Sequence, residues 1–301
     1  MATLLVWALL VVAVLWVQRH WRAMRAEQRF RRRYPAGPDG VVIGAEARTY
    51  EVEASRAVLL LHGYNDSPAS VDDVARRLHS RGWTVRVPLL PGHGRSYEAW
   101  DDWRANEAVT LVREEYAALR RAYSTVVIGG LSMGGALACW LAAEAEVDGV
   151  LLFAPMLFVP RSMQVAVSTA RIWSLVTQCI RGGGRRSLWD PEAQRRAVVY
   201  GCSTRRSLEA LEAIARGVVP RLGFVKAPVL MCQSREDNRL PEDQSRHAYA
   251  RIGSADKSAH WVSGAGHVVT MDFGWSAVAD HVVEWLEARW PHAVSVASRI
   301  D

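Results

Sequence analysis

Short runs of apolar residues recur along the chain at positions 57–61, 84–90, 125–129, 149–153, 228–232 and 260–262. Between them, at 71–81, 103–122, 136–145, 242–252 and 276–289, apolar residues return every three or four positions, the spacing of one helix face. Several of the short runs are apolar at successive rather than alternate positions. Strands read that way when both faces of a parallel sheet are covered. Strand and helix alternate, which predicts a doubly wound, mainly parallel α/β domain formed by residues 41–160 and 226–290.

One interval breaks the rhythm. Residues 161–225 show helical patterning but no strand, and they contain the run Gly182-Gly183-Gly184. An insertion that leaves the sheet after one strand and returns at Pro228 is expected to form a helical cap over a site. Its stripe of Met163, Val167, Ile172, Trp173, Leu175 and Val176 either faces a bound apolar group or packs on the core.

The N-terminus follows a different pattern. Residues 2–17 carry no charge and are apolar apart from Thr3. As a helix they span roughly 24 Å, a little short of the hydrocarbon core of a bilayer, and Trp7, Trp16 and Trp21 suit its interface. A cleaved signal peptide is disfavoured because neither a basic leading segment nor a small-residue cleavage site is present. Seven arginines follow between Arg19 and Arg33. The pattern predicts a single-pass transmembrane anchor over 1–18, a basic juxtamembrane linker over 19–40, and a tail over 291–301. Because Arg-rich flanks stay on the cytoplasmic side, the folded domain is expected there.

Charge sharpens this division. The chain has 37 basic and 31 acidic residues, a net +6. Residues 19–33 alone supply +6, so the remainder balances at 30 of each sign. The basic character therefore gives no argument for nucleic acid as a partner. With 301 residues, half of them apolar, the chain supports a full core in one or two domains. Cys139, Cys179, Cys202 and Cys232 form no metal or redox motif, and Cys179 and Cys202 are expected to pair only in an oxidising compartment.

Candidate chemistry centres on Gly130-Leu131-Ser132-Met133-Gly134, a G-x-S-x-G pattern. The pattern alone is weak. Here it sits between a predicted strand and a predicted helix, where a tight turn lifts the serine hydroxyl above a sheet. A serine needs a base to take its proton and a carboxylate to orient that base. In proteins built around this turn they follow in the order serine, acid, histidine. Asp237, with Glu236 as competitor, and His267 occupy loops after late strands in that order. His62, before Gly63, reads as a loop-fixing residue rather than a second base. The tetrahedral oxyanion needs N–H donors, for which Met133, directly after the serine, and Tyr64, after the strand at 57–61, are placed. Gly63 and Leu131 are expected to contact the substrate.

Taken together, His62-Gly63-Tyr64, Pro91-Gly92-His93-Gly94, Gly130-Leu131-Ser132-Met133-Gly134-Gly135, Asp237 and Gly266-His267-Val268-Val269-Thr270-Met271-Asp272 resemble the bacterial carboxylesterase and monoacylglycerol lipase family of α/β-hydrolases. The likeness runs from about residue 57 to 289, outside the cap. It implies an α/β-hydrolase fold, the triad Ser132, Asp237 and His267, oxyanion donors at Tyr64 and Met133, a short-chain ester or monoacylglycerol substrate, and no cofactor or metal. The chain departs from the family at Gln233, where glycine is usual, at Arg239, where apolar residues are usual, and at Tyr64, often phenylalanine. Asp272 reads as a cap for the following helix. A thioesterase, amidase, peptidase or acyltransferase with the same triad is the alternative, and a non-enzymatic membrane-tethered binding module a more distant one.

Overall fold

The computed structural model describes residues 2–181 and 187–291. Seven strands form one sheet in the order β1-β3-β2-β4-β5-β8-β9. They are β1 (Arg48–Tyr50), β2 (Arg56–Leu61), β3 (Thr84–Val87), β4 (Thr125–Leu131), β5 (Gly149–Phe153), β8 (Val229–Ser234) and β9 (Lys257–Val262). Only β1 runs antiparallel to its neighbour; the other pairings are parallel. This is the α/β-hydrolase architecture that the sequence predicts.

The apolar runs divide by parity. Ala57, Leu59 and Leu61 of β2 enter one core with α4 (Ala105–Ala122), α5 (Met133–Ala142) and α9 (Arg205–Val218). Val58 and Leu60 enter another, on the opposite face, with α2 (Asp72–His79) and α11 (Trp275–Glu287). All five side chains are fully buried, each contributing about 1.5–3 kcal/mol where it is Val or Leu. A strand with no polar side is thus explained by its two covers.

Chain order fixes where a site forms. After β2 the chain builds β3 on one flank and then crosses to β4 on the other. The crevice at the carboxyl ends of β2 and β4 is a topological switch point, where open α/β sheets bind ligands.

Three expectations are corrected here. Residues 2–33 form one continuous helix, α1 (Ala2–Arg33), so the segment from Arg19 onward is not a linker. Arg, Ala, Gln, Glu and Met favour helix and give it no place to stop. No helix among the described residues is long and apolar enough to cross a membrane. The transmembrane anchor is therefore overturned, and with it the single-pass placement and attachment to a membrane through a spanning N-terminal helix. The uncharged stretch, at roughly 24 Å, falls below the 30 Å or so of a bilayer core. It also runs directly into a charged half that docks on the domain. Phe30 is buried and stacks on Tyr200 at 4.5 Å, Tyr34 OH donates to Ala197 O at 3.2 Å, and Tyr97 N–H donates to Glu27 Oε2 at 2.7 Å.

The insertion is not wholly helical either. Beside α6 (Arg161–Ser168), α7 (Ala170–Val176), α8 (Pro191–Arg196) and α9 it holds a two-stranded antiparallel ribbon, β6 (Cys179–Arg181) with β7 (Cys202–Thr204). Cys179 and Cys202 lie on these adjacent strands as thiols without a disulfide. The Gly182-Gly183-Gly184 run and nearly all of the 291–301 tail lie outside the described residues. Two further helices are α3 (Tyr97–Asp102), between β3 and α4, and α10 (Glu242–Ala250), between β8 and β9.

Candidate active site

Ser132 occupies the single residue between β4 and α5, with φ 53° and ψ −110°. A non-glycine residue at positive φ is strained by about 1–3 kcal/mol and persists only where its surroundings hold it. They do. Ser132 N–H donates to Phe153 O at 2.9 Å, and Ser132 O accepts from Ala136 N–H at 3.1 Å and Met156 N–H at 3.0 Å. The flanking glycines are required by contact: a Cβ on Gly134 would lie 2.4 Å from Leu61 O, and one on Gly130 would lie 2.4 Å from the Gly134 carbonyl carbon.

The loop after β2 passes beside this turn. A Cβ on Gly63 would lie 3.6 Å from Ser132 Cβ. His62 fixes the loop: its Nε2 accepts from Leu90 N–H at 3.0 Å, which leaves Nδ1 to donate to Gly63 O at 2.9 Å. Burial, with His93 beside it, holds His62 well below the ordinary histidine range. It is a neutral structural group. Asn65 Oδ1 accepts from Tyr200 and Gly201 N–H, tying the loop to the insertion. Met133 is buried at the first position of α5, where a helix N–H has no intrahelical acceptor.

Asp237 lies in the turn after β8, and both its oxygens are saturated. Oδ1 accepts from Arg239 N–H at 2.7 Å and Leu240 N–H at 3.0 Å. Oδ2 accepts from His267 Nδ1 at 2.7 Å and Gln233 Nε2 at 2.8 Å. Burial pushes this carboxyl up, but His267 and the two backbone donors outweigh it and hold Asp237 below the usual carboxylate value. An ionised carboxylate only accepts, so Nδ1 carries the proton and Nε2 is left as the basic nitrogen. Glu236, the competing acid, instead faces Ser234 Oγ and Gly264 N–H.

Ser132, His267, Gly63, Tyr64 and Leu131 line one cavity of about 400 Å³. From the insertion, Met163 of α6 and Leu208 and Leu211 of α9 close its apolar side. Of the stripe read as facing a bound group or packing on the core, only Met163 lines the cavity, and Val167 packs on the core. Ile172 and Leu175 are exposed at 71% and 64%, because α7 turns that face outward.

Two residues at the site escape sequence reasoning. Gln233 is fully buried with its amide on Asp237 Oδ2, and its Oε1 has no partner among the described residues. Asp272 does not cap α11, whose N-cap is Gly274. Its buried carboxylate accepts from Trp189, Asp190 and Gly266 N–H, clamping the insertion to the His267 loop. The departure of Gln233 from the family pattern is the signal for the first, and the place of Asp272 at the end of the Gly266–Asp272 motif is the signal for the second.

Asp66 lines the same cavity, and burial pushes its carboxyl up to about 7, against the pull of Ser70, the Ser67 N–H and His267. The folded state thus keeps this proton after the unfolded chain, near 3.9, has lost it. Stability from this group is present below about pH 4 and falls as pH rises toward 7. Asp66→Asn is expected to flatten that fall by up to about 4 kcal/mol. Denaturant titrations at pH 4.5 and 8 measure it; equal slopes in both proteins would rule it out.

A family profile described as serine aminopeptidase, S33, matches residues 52–273. The chain is 26% identical over 239 residues to a carboxylesterase of Bacillus subtilis (strain 168), covering 77% of this chain and 92% of that protein. It is 27% identical over 255 residues to a thermostable monoacylglycerol lipase of Bacillus sp. (strain H-257), covering 81% and 95%. Among solved structures, a metagenome-derived lipolytic enzyme, from work on LipS and LipT, superposes with a TM-score of 0.74 at 24% identity, covering 81% of this chain and 98% of that one. That likeness is one of fold.

Proposed function

The chain belongs to the serine aminopeptidase S33 family, and from that premise we propose that it is an ester hydrolase of the carboxylesterase, lipase and monoacylglycerol lipase type. One observation carries the reading: Ser132, held at positive φ, opens on the same cavity as His267, whose Nδ1 is bonded to Asp237.

In this reading Ser132 Oγ attacks the ester carbonyl carbon while His267 Nε2 takes its proton. Asp237 stabilises the imidazolium. The N–H groups of Tyr64 and Met133 receive the oxyanion, and Gly63 and Leu131 bound the space around the carbonyl. The proton then passes from His267 to the leaving alcohol, and water, activated by the same nitrogen, releases the acyl group from Ser132. Residues 161–225 act as the cap, with Met163, Leu208 and Leu211 against the apolar part of the substrate.

A ladder of p-nitrophenyl esters from acetate to laurate, beside a monoacylglycerol, tests this. Turnover of at least one ester is expected, with stoichiometric loss of activity to a fluorophosphonate whose mass appears on the peptide bearing Ser132. No turnover and no label would instead support a binding module. The family's description favours one second reading, an aminopeptidase, and faster cleavage of an aminoacyl p-nitroanilide than of every ester would select it.

A further inference from the structure

The triad's acid is served by a residue that neither the family pattern nor the mechanism above requires. Gln233 follows Val229 and Met231 on the face of β8 that meets the α5 and α9 core, and it is fully buried. An apolar side chain would suit that face. The amide instead spends its N–H on Asp237 Oδ2, the oxygen that also holds His267 Nδ1, at 2.8 Å and 2.7 Å. Its orientation follows from charge, since an amide oxygen at that distance from a carboxylate oxygen would repel it. The other end of the amide, Oε1, is left buried without a partner among the described residues. Burying an orphan acceptor is unfavourable, so packing alone does not account for glutamine here.

We propose that Gln233 is a positioning residue of the active site, which locks the Asp237 carboxylate and shares its Oδ2 charge with His267. The inference rests on the triad reading of Ser132, Asp237 and His267. With four donors on two oxygens, Asp237 has no free rotation about its side chain, so the imidazole is held at one angle to Ser132. Charge drawn by the amide is charge not offered to the imidazolium. Loss of the amide returns that charge to the imidazolium, and the acid limb of activity is expected to move to higher pH. Other groups face His267 from the elements packed around it. Asp66 approaches from the loop after β2 and Ser132 from the turn before α5. Arg239, on the wall of the same cavity, has its Nε on Ser187 Oγ at 2.7 Å. Asp272 holds the adjoining Gly266 N–H at 2.8 Å.

The test is the pH profile of kcat and KM on the best p-nitrophenyl ester for the full chain, Gln233→Leu and Gln233→Glu, each also in an Asp66→Asn background. For Gln233→Leu we expect kcat to fall about tenfold with KM within about twofold, the loss of one hydrogen bond to a charged group. Its acid limb moves to higher pH. Gln233→Glu, protonated, still donates to Oδ2 and works at low pH; once it ionises, two carboxylates share the site and an alkaline limb absent from the wild type appears. Folded variants with unchanged kcat and an unmoved acid limb would overturn the proposal. So would an equal loss at every pH accompanied by a lower melting temperature, which marks a packing role, or a limb shift that vanishes with Asp66→Asn. Failure of the underlying reading looks different: the wild type would take no fluorophosphonate label, or Asp237→Asn would keep full activity.

Discussion

Ser132→Ala is expected to lower kcat on p-nitrophenyl butyrate by about four to six orders of magnitude while leaving the fold intact. The substitution removes one oxygen and keeps the Cβ, so the backbone at φ 53° meets the same neighbours as before. Nothing else at the site replaces the lost nucleophile. His267 retains its bond to Asp237, and the proposed donors at Tyr64 and Met133 are unaltered. A residual rate of about a thousandfold over water therefore remains from binding and oxyanion contacts. Far-UV circular dichroism establishes the fold and single-turnover kinetics the rate. A variant within tenfold of the wild type would remove Ser132 from the mechanism.

The second large effect is on stability. Gly134→Ala places a methyl group 2.4 Å from Leu61 O and 2.7 Å from His62 O. Both are backbone atoms at the end of a fully buried strand, so neither swings aside. Relief requires α5 to move off the sheet, opening the core that Leu137 and Cys139 share with β2. A destabilisation of about 3–5 kcal/mol is expected, a large share of the 5–15 or so that a domain has. Gly63→Ala, on the loop that faces Gly134, is the control, because its methyl would meet nothing nearer than 3.6 Å and should shift stability by less than about 1 kcal/mol. Urea midpoints compare the two. Equal midpoints for Gly134→Ala and wild type would show that the turn is not held as tightly as these distances require.

What could be read from the sequence follows from burial. Strands covered on both faces, such as β2 and β4, announce themselves as unbroken apolar runs, and the glycines around Ser132 mark a turn with no room for a Cβ. Arg48–Tyr50 was invisible because an edge strand of three residues with a charged start has no such run. Cys202–Thr204 was missed for the same reason, being short and polar in a ribbon outside the main sheet. The N-terminal segment misled in another way. Its apolar half suggested a separate device, whereas Glu27, Phe30 and Tyr34 at its far end are contacts of the folded domain. Asp237 and His267 were legible from chain order, from their places in loops after late strands, and from the motifs around them. Gln233 and Asp272 were not, because their roles depend on partners brought close by the turn after β8 and by an insertion some eighty residues upstream.

Strand order carries a consequence of its own. Ser132 and the Gly63–Tyr64 loop, the proposed nucleophile and oxyanion elements, hang from β4 and β2, while Asp237 and His267, the proposed acid and base, hang from β8 and β9, with β5 between the two pairs. At the usual strand spacing β4 and β9 lie about 14 Å apart, so His267 lines the cavity that Ser132 opens on only because its loop folds back across two strands. The electrophile end and the proton-handling end are thus separate modules bolted to one plate. Selection, or an engineer, is free to retune one through its own strand while the other keeps its settings.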